Sequence, residues 1–204
     1  MAGKFIVLEG IDGAGKSTQI ELLKQHPKLK DAHFTFEPTT EGIGAIIRQQ
    51  IRQELPDYTP QTMAALLVAD RLEHLTHPTT GLLARIQSGQ HIVADRYVLS
   101  SLAYQGLTAP IPLVWALNQP CLDILKPDIT IFLELTPSQS MERITARGEA
   151  LDSFETTPKL ERIYQNYLDG IRLMEDDSRV ERINANQSPS EVAKSIHTKL
   201  QTIL

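Results

Sequence analysis

Phe5-Ile6-Val7-Leu8-Glu9-Gly10-Ile11-Asp12-Gly13-Ala14-Gly15-Lys16-Ser17-Thr18 is the stretch that decides the fold. Its four leading apolar residues read as a buried strand, and the residues from Lys16 onward read as the start of a helix. Between strand and helix stands Gly-x-x-x-x-Gly-Lys-Ser, from Gly10 to Ser17, the spacing at which a chain curls its N–H groups around phosphate oxygens. Glycines permit the curl, the helix adds the positive end of its dipole, and the lysine adds a mobile cation. Gly10, Ile11, Asp12, Gly13, Ala14, Gly15, Lys16, Ser17 and Thr18 are accordingly expected to bind a nucleotide. Lys16 is aimed at the β- and γ-phosphates, and the Ser17 hydroxyl is a candidate Mg²⁺ ligand. The plainer alternative, a glycine-rich turn with a solvated lysine, leaves the register of strand, loop and helix unexplained.

Further apolar runs occur at His33 to Phe36, His91 to Ala94, Ile129 to Leu135 and Val180 to Ile183, with longer helical patterns between them. Such alternation predicts an α/β fold of the three-layer P-loop NTPase type, a mostly parallel five-stranded sheet flanked by helices. The first and fourth runs lack polar alternation and read as central strands, while the last is weakest and reads as an edge. Ile43, Ile46, Ile47 and Ile51, and then Met63, Leu66, Leu67 and Leu75, recur at helical spacing and predict two amphipathic helices packed on the sheet. Most prolines fall at expected element boundaries, none marks a linker, and no repeat occurs. Residues 1–204 are therefore expected to form a single domain.

Composition narrows the partners. With 20 Lys and Arg against 25 Asp and Glu, the net charge of −5 argues against a nucleic-acid partner. No apolar stretch approaches the roughly 18 residues needed to span a membrane, and the run after Lys4 is too short for a secretory signal. The lone Cys121 makes an intramolecular disulfide impossible and reads as an apolar filler. Cytoplasmic localisation is expected.

Asp95-Arg96-Tyr97 ends the third run, at the strand edge where open α/β sheets bind ligands. A carboxylate there can hold Mg²⁺, and an arginine can fork across phosphate oxygens. A GTP-dependent switch would carry an Asn-Lys-x-Asp segment, and none occurs. His74 and His77 have no third ligand nearby and read as surface histidines. Trp115 reads as a core or subunit-contact residue.

Glu9 to Thr18, Phe36-Glu37-Pro38, Ala69-Asp70-Arg71 and Asp95-Arg96-Tyr97-Val98-Leu99-Ser100-Ser101-Leu102-Ala103-Tyr104-Gln105-Gly106 together resemble the thymidylate kinases. Pro127-Asp128, Arg143 to Gly148 and Leu151 to Glu155 extend the resemblance over nearly the whole chain. It implies phosphorylation of dTMP to dTDP by ATP with Mg²⁺, a lid at approximately 143–157, and a homodimer. It further implies that Arg71 reads the thymine, that Ser100, Ser101 and Gln105 line the substrate site, and that Tyr104 crowds the ribose 2′ position. Arg48 and Arg96 would hold the acceptor phosphate, Asp12 would lie near the 3′-hydroxyl, and Glu37-Pro38 would form the turn at the edge of the site. Ser17 and Asp95 would hold the metal. Lys16, Arg96, Arg147 and Asp12 would carry catalysis, with Arg143 on the ATP side.

Two departures from the family pattern stand out. Leu67 replaces a phenylalanine that stacks on the base, which removes an aromatic contact worth roughly 0.5 to 1.5 kcal/mol. Ser153 replaces a lid arginine, leaving Arg143 and Arg147, whose i, i+4 spacing would put them on one helix face. Another nucleotide or nucleoside kinase, or a nucleotide-dependent binding switch, remains the alternative.

Overall fold

A computed structural model describes residues 2–146 and 156–204. Strand β1 (Phe5–Glu9) leads through the glycine-rich loop into α1 (Lys16–Leu23), followed by β2 (His33–Phe36), α2 (Gly42–Ile51), α3 (Pro60–Thr76) and α4 (Leu82–Gln87). Then come β3 (Ile92–Asp95), α5 (Val98–Gln105), α6 (Ile111–Ile124), β4 (Ile129–Glu134), α7 (Pro137–Ala146), α8 (Thr157–Leu173), β5 (Val180–Asn184) and α9 (Pro189–Leu200). The strands form one sheet in the order β2-β3-β1-β4-β5, and every pairing is parallel. The expected edge position of β5 and the central position of β1 both hold.

Strand alternation divides the core into two layers. Phe5, Val7, Ile92, Ala94 and Phe132 face α3, α5, α6 and α8, whereas Ile6, Leu8, Val93, Ile131 and Leu133 face α1 and α9. A parallel sheet covered on both faces has no polar side, which is why β1 and β4 read as continuous apolar runs. Strand pairing continues one residue beyond the apolar part of three strands: Leu8 pairs with Asp95, Glu9 with Phe132 and Glu134 with Asn184. Backbone hydrogen bonding sets those ends. Charged side chains are thereby carried to the carboxyl edge of the sheet.

Helix termini carry local signals. Pro60, Pro158 and Pro189 occupy first-turn positions, and Ser188 with Glu191 forms a capping box on α9. Pro120 is a correction to the boundary reading, since it lies inside α6. α2 is a second correction: it packs on α3 and not on the sheet, burying Ile47 while Ile46 and Ile51 stay exposed. Cys121 and Trp115 pack with the α6 core, Cys121 fully buried and Trp115 partly so. Among the described residues no helix is long and apolar enough to cross a membrane.

α5 starts just beyond the Asp95-Arg96-Tyr97 segment, and α8 clamps it. A Cβ at Gly170 would stand 3.1 Å from Leu102 Cδ1 and 3.2 Å from Leu99 Cδ2, so glycine lets the two helices approach closely. Leu102 is fully buried at that contact. Leu102→Ala is expected to destabilise the fold by about 2 to 5 kcal/mol, read as a lower urea midpoint at unchanged m-value; a loss below about 1 kcal/mol would mean that the α5–α8 seam is loosely packed.

Candidate active site

The loop after β1 is held in shape by its own chain. Gly10 has φ 147°, and a Cβ there would meet the Leu133 carbonyl oxygen at 2.8 Å, so only glycine fits beside β4. Lys16 Nζ folds back to the carbonyls of Gly10 (2.9 Å) and Ile11 (3.4 Å), the groups that satisfy a buried ammonium. Burial and the nearby Arg96 guanidinium push that ammonium below its ordinary pKa. From α7, the Ser140 hydroxyl donates to the Asp12 carbonyl, while Arg143 donates to Gly13 O (3.3 Å) and Ala185 O (2.8 Å). The loop is thus braced from outside.

Asp12 points away from the loop toward α5. Its carboxylate accepts from Arg96 Nη2 and from the Tyr104 hydroxyl (2.7 Å), and Lys16 Nζ stands 3.9 Å away. Arg96 itself has φ 74°, a left-handed backbone that costs a non-glycine residue of order 1 kcal/mol. Its N–H donates to Leu8 O (2.9 Å) and its guanidinium stacks at 4.6 Å on the Tyr104 ring, so the unusual turn is held at both ends. Beneath it Glu9, wholly buried, accepts from the N–H groups of Tyr97 (2.7 Å) and Ser100 (3.1 Å) and from the hydroxyls of Ser100 (2.6 Å) and Tyr167 (3.0 Å). Burial raises the Glu9 carboxyl pKa in spite of those bonds.

Two cavities meet at the Asp12–Arg96 pair. One, of about 510 Å³, is lined by Gly13, Gly15, Lys16, Ser17, Thr18, Asp95 and Arg143 as well as by Asp12 and Arg96. The other, of about 390 Å³, is lined by Glu37, Pro38, Leu67, Arg71, Ser100, Ser101, Tyr104 and Gln105, again with Asp12 and Arg96. The pair is their common wall. In the first cavity Asp95 Oδ1 is buried and finds no hydrogen-bond partner among the described residues. An orphaned carboxylate oxygen in a cavity that also holds a serine hydroxyl suits a hard cation.

The second cavity is organised by Arg71, only 2% exposed. Its Nε donates to Glu37 Oε2 at 2.6 Å, and its Nη1 donates to Ser101 Oγ (3.1 Å) and to Asn118 Oδ1. No protein group among the described residues accepts from Nη2. Burial alone would raise the Glu37 carboxyl; Arg71 and His74 together hold it below its ordinary value. Glu37 is therefore a buried anchor rather than a turn at the rim.

Most residues expected from the sequence converge on these cavities, but not all. Arg48 lies on neither wall: Nε donates to Thr39 O (2.9 Å) and Pro38 O (3.1 Å), and the guanidinium stacks at 4.9 Å on Phe36. Gly10, Ile11 and Ala14 shape the loop from behind without lining a cavity. Arg147 and Ser153 lie outside the described residues. His74, expected at the surface, is instead tucked against Glu37. The cavity also takes in Gln50, Ile51, Gln53, Asp57 and Met63, and Asp70 fastens Thr39 through its N–H (2.8 Å) and hydroxyl (2.6 Å). Glu9 and Asp70 stand inside the motif stretches without an expected role, and only their burial marks them.

The sequence profile of the family described as Thymidylate kinase matches residues 8–196. The chain is 32% identical to the probable thymidylate kinase of Methanococcoides burtonii, over 100% of this chain and 99% of the relative. It is 34% identical to the thymidylate kinase of Symbiobacterium thermophilum, over 98% and 94%, and 35% identical to the probable thymidylate kinase of Pyrococcus abyssi, over 96% and 95%.

The charge of the common wall has a measurable consequence. Burial works to raise the Asp12 pKa, but Arg96, Lys16 and the Tyr104 hydroxyl outweigh it and bring the carboxyl from its ordinary 3.8 down to about 2. A depressed carboxyl stabilises the fold above its unfolded pKa, and that contribution is lost as pH falls through the folded value. Acid unfolding should therefore include a loss of order 1 to 2 kcal/mol between pH ~4 and ~2 that is absent from Asp12→Asn. Urea midpoints measured across that window would show parallel curves for the two proteins if Asp12 were not held by the cations.

Proposed function

This chain belongs to the thymidylate kinase family, and from that premise we propose that it transfers the terminal phosphoryl group of ATP to dTMP, yielding ADP and dTDP across the Asp12–Arg96 wall. The observation that carries the reading is that wall itself: Asp12 and Arg96 line both a phosphate-loop cavity and an Arg71-centred cavity. Two anionic substrates entering from opposite sides would bring their reacting phosphates together there. Holding them in line converts an encounter into an effectively unimolecular step, and no covalent enzyme intermediate is needed.

On the donor side, the loop N–H groups and Lys16 would hold the ATP phosphates, with Thr18 and Arg143 completing that cavity. Lys16 would exchange its two carbonyl contacts for phosphate oxygens. Ser17 and Asp95 would hold Mg²⁺, a reading supported by the unpartnered Asp95 Oδ1. When bound, the ion would supply positive charge against the negative charge of the phosphates. The whole of 1–204 would act as one kinase domain, and the lid near 143–157 and a role for Arg147 in transfer rest on the resemblance alone. The homodimer and the cytoplasmic location rest on the resemblance and on the sequence.

On the acceptor side, Arg71 Nη2, Ser101 and Gln105 would face the base, with Leu67 against its ring, Pro38 on the cavity wall and the buried Glu37 anchoring Arg71. With Arg48 engaged by the 38–39 carbonyls, Arg96 is the cation best placed for the acceptor phosphate. It would also meet charge developing on the transferring phosphoryl. Asp12 lies between Arg96 and Tyr104, where the sugar would pass.

ADP release measured across a panel of dTMP, dUMP, dCMP, dGMP and UMP tests the reading, and dTMP is expected to give the highest kcat/KM. A different preferred monophosphate would make the protein another nucleotide kinase, and no turnover with any would leave a binding switch. Lys16→Ala should lower kcat/KM at least roughly 10²-fold while circular dichroism stays unchanged, since the side chain serves the cavity and not the core.

Tyr104 would set the sugar preference. Its hydroxyl is bonded to Asp12, Arg96 covers one ring face, and Tyr167 meets it edge-on at 6.3 Å between centroids, so the ring has little freedom to yield to a 2′-hydroxyl. Overpacking of this kind costs roughly 1 to 3 kcal/mol. Tyr104→Ala should slow dTMP phosphorylation but raise the ribonucleotide to deoxyribonucleotide ratio of kcat/KM at least about tenfold; a ratio unchanged within error would remove Tyr104 from that role.

A further inference from the structure

His74 sits one helical turn beyond Arg71 on α3, and both side chains face Glu37. Its Nδ1 lies 3.1 Å from Glu37 Oε1, and its Nε2 lies 2.9 Å from Thr35 Oγ1 on β2. An ionised carboxylate only accepts, so Nδ1 carries a proton toward Glu37 and, in the neutral ring, Nε2 accepts the Thr35 hydroxyl proton. The donors then run in one sense, Thr35 to His74 to Glu37, where they meet the donor from Arg71 on the other oxygen at 2.6 Å. The side chains of His74, Glu37 and Arg71 are 10%, 5% and 2% exposed, so water offers little substitute for any link.

Neither His74 nor Thr35 lines the cavity, so direct contact with a substrate does not account for them. What His74 does is occupy the one Glu37 oxygen that Arg71 leaves open. Among the described residues it is the only donor to Oε1, and a carboxylate held at both oxygens cannot rotate about its terminal bond. Arg71 is then fixed in turn, with Nε on Glu37 and Nη1 on Ser101 and Asn118, leaving Nη2 as the single free donor edge among the described residues. If the His74 link were cut, Oε1 would be left buried and unsatisfied, and Glu37 would swing to share both oxygens with Arg71. The guanidinium would turn with it.

We propose that His74 is a positioning residue for acceptor recognition: through Glu37 it sets the direction in which Arg71 presents its free edge to the nucleobase. This rests on the reading of the Arg71 cavity as the dTMP site. Asparagine at position 74 can place an amide nitrogen near the position of Nδ1, keeping the Glu37 link and losing Thr35. Glutamine reaches the position of Nε2, keeping Thr35 and losing Glu37. The two substitutions separate the positioning role from general packing.

Steady-state kinetics with dTMP and ATP on the wild type, His74→Asn, His74→Gln, Arg71→Leu and the Arg71→Leu/His74→Gln double variant tests the proposal. The expected result is that His74→Gln raises KM for dTMP about tenfold, with kcat within about threefold and KM for ATP unchanged, while His74→Asn stays within about threefold of wild type throughout. In the Arg71→Leu background, His74→Gln should change kcat/KM for dTMP by less than about twofold, because its route to the substrate is already gone. Equal effects of Asn and Gln, or an undiminished effect in the Arg71→Leu background, would overturn the positioning role. Failure of the wild type to phosphorylate dTMP would instead overturn the reading of the site, and that arm is measured first.

Discussion

A carboxylate buried at the end of the central strand is the constraint on which the site depends. Glu9 has no access to water, and an ion of its size loses several kcal/mol of solvation unless its oxygens are fully bonded. Four donors meet it, and all come from α5, the residue just before α5, or α8. Two of them are the N–H groups of Tyr97 and Ser100, which α5 leaves uncapped by any side chain of its own. A side chain on β1 therefore caps a helix whose N-cap, Tyr97, lies 88 residues later in the chain, and the coupling runs both ways. Satisfying Glu9 determines where α5 starts and how it is rotated.

That rotation sets the common wall. With α5 anchored, Tyr104 reaches Asp12 on the phosphate loop, Ser101 reaches Arg71, and Arg96 is drawn into the left-handed turn that brings its guanidinium over the Tyr104 ring. A chain that is acidic overall thus concentrates Lys16, Arg71 and Arg96 around two adjoining cavities. Each has its own partner within the protein: Lys16 the loop carbonyls and Asp12, Arg96 Asp12, and Arg71 Glu37. Phosphate oxygens can take over from the weaker of these partners without new side chains having to be buried.

Legibility in the sequence follows the range of the interaction. The phosphate loop and the five strands are local features, and they form where the spacing places them within one or two residues. The long isoleucine-rich pattern of α2 is legible as a helix but not as to what it packs on, because amphipathic spacing specifies an apolar stripe and not the partner that covers it. Ile47 is buried against α3, whereas Ile46 and Ile51 are exposed. His74 escapes a sequence reading on the same ground: a histidine beside a helix end gives no sign of a carboxylate 37 residues earlier in the chain.

What the sequence by itself determined is the backbone chemistry: a strand, a glycine-rich turn whose N–H groups converge, a helix to carry the lysine, and an acid–arginine pair at the end of another parallel strand. Spacing suffices there, because φ/ψ preferences and strand or helix periodicity act over a few residues. Only the tertiary structure decided that Asp12 and Arg96 would pair across 84 residues, that Glu37 would be a buried anchor for Arg71, and that Arg48 would turn onto the 38–39 carbonyls. Those outcomes depend on which charges must share a dry interior and on which donors the packed helices bring within reach, and neither quantity exists until the sheet and its helices have assembled.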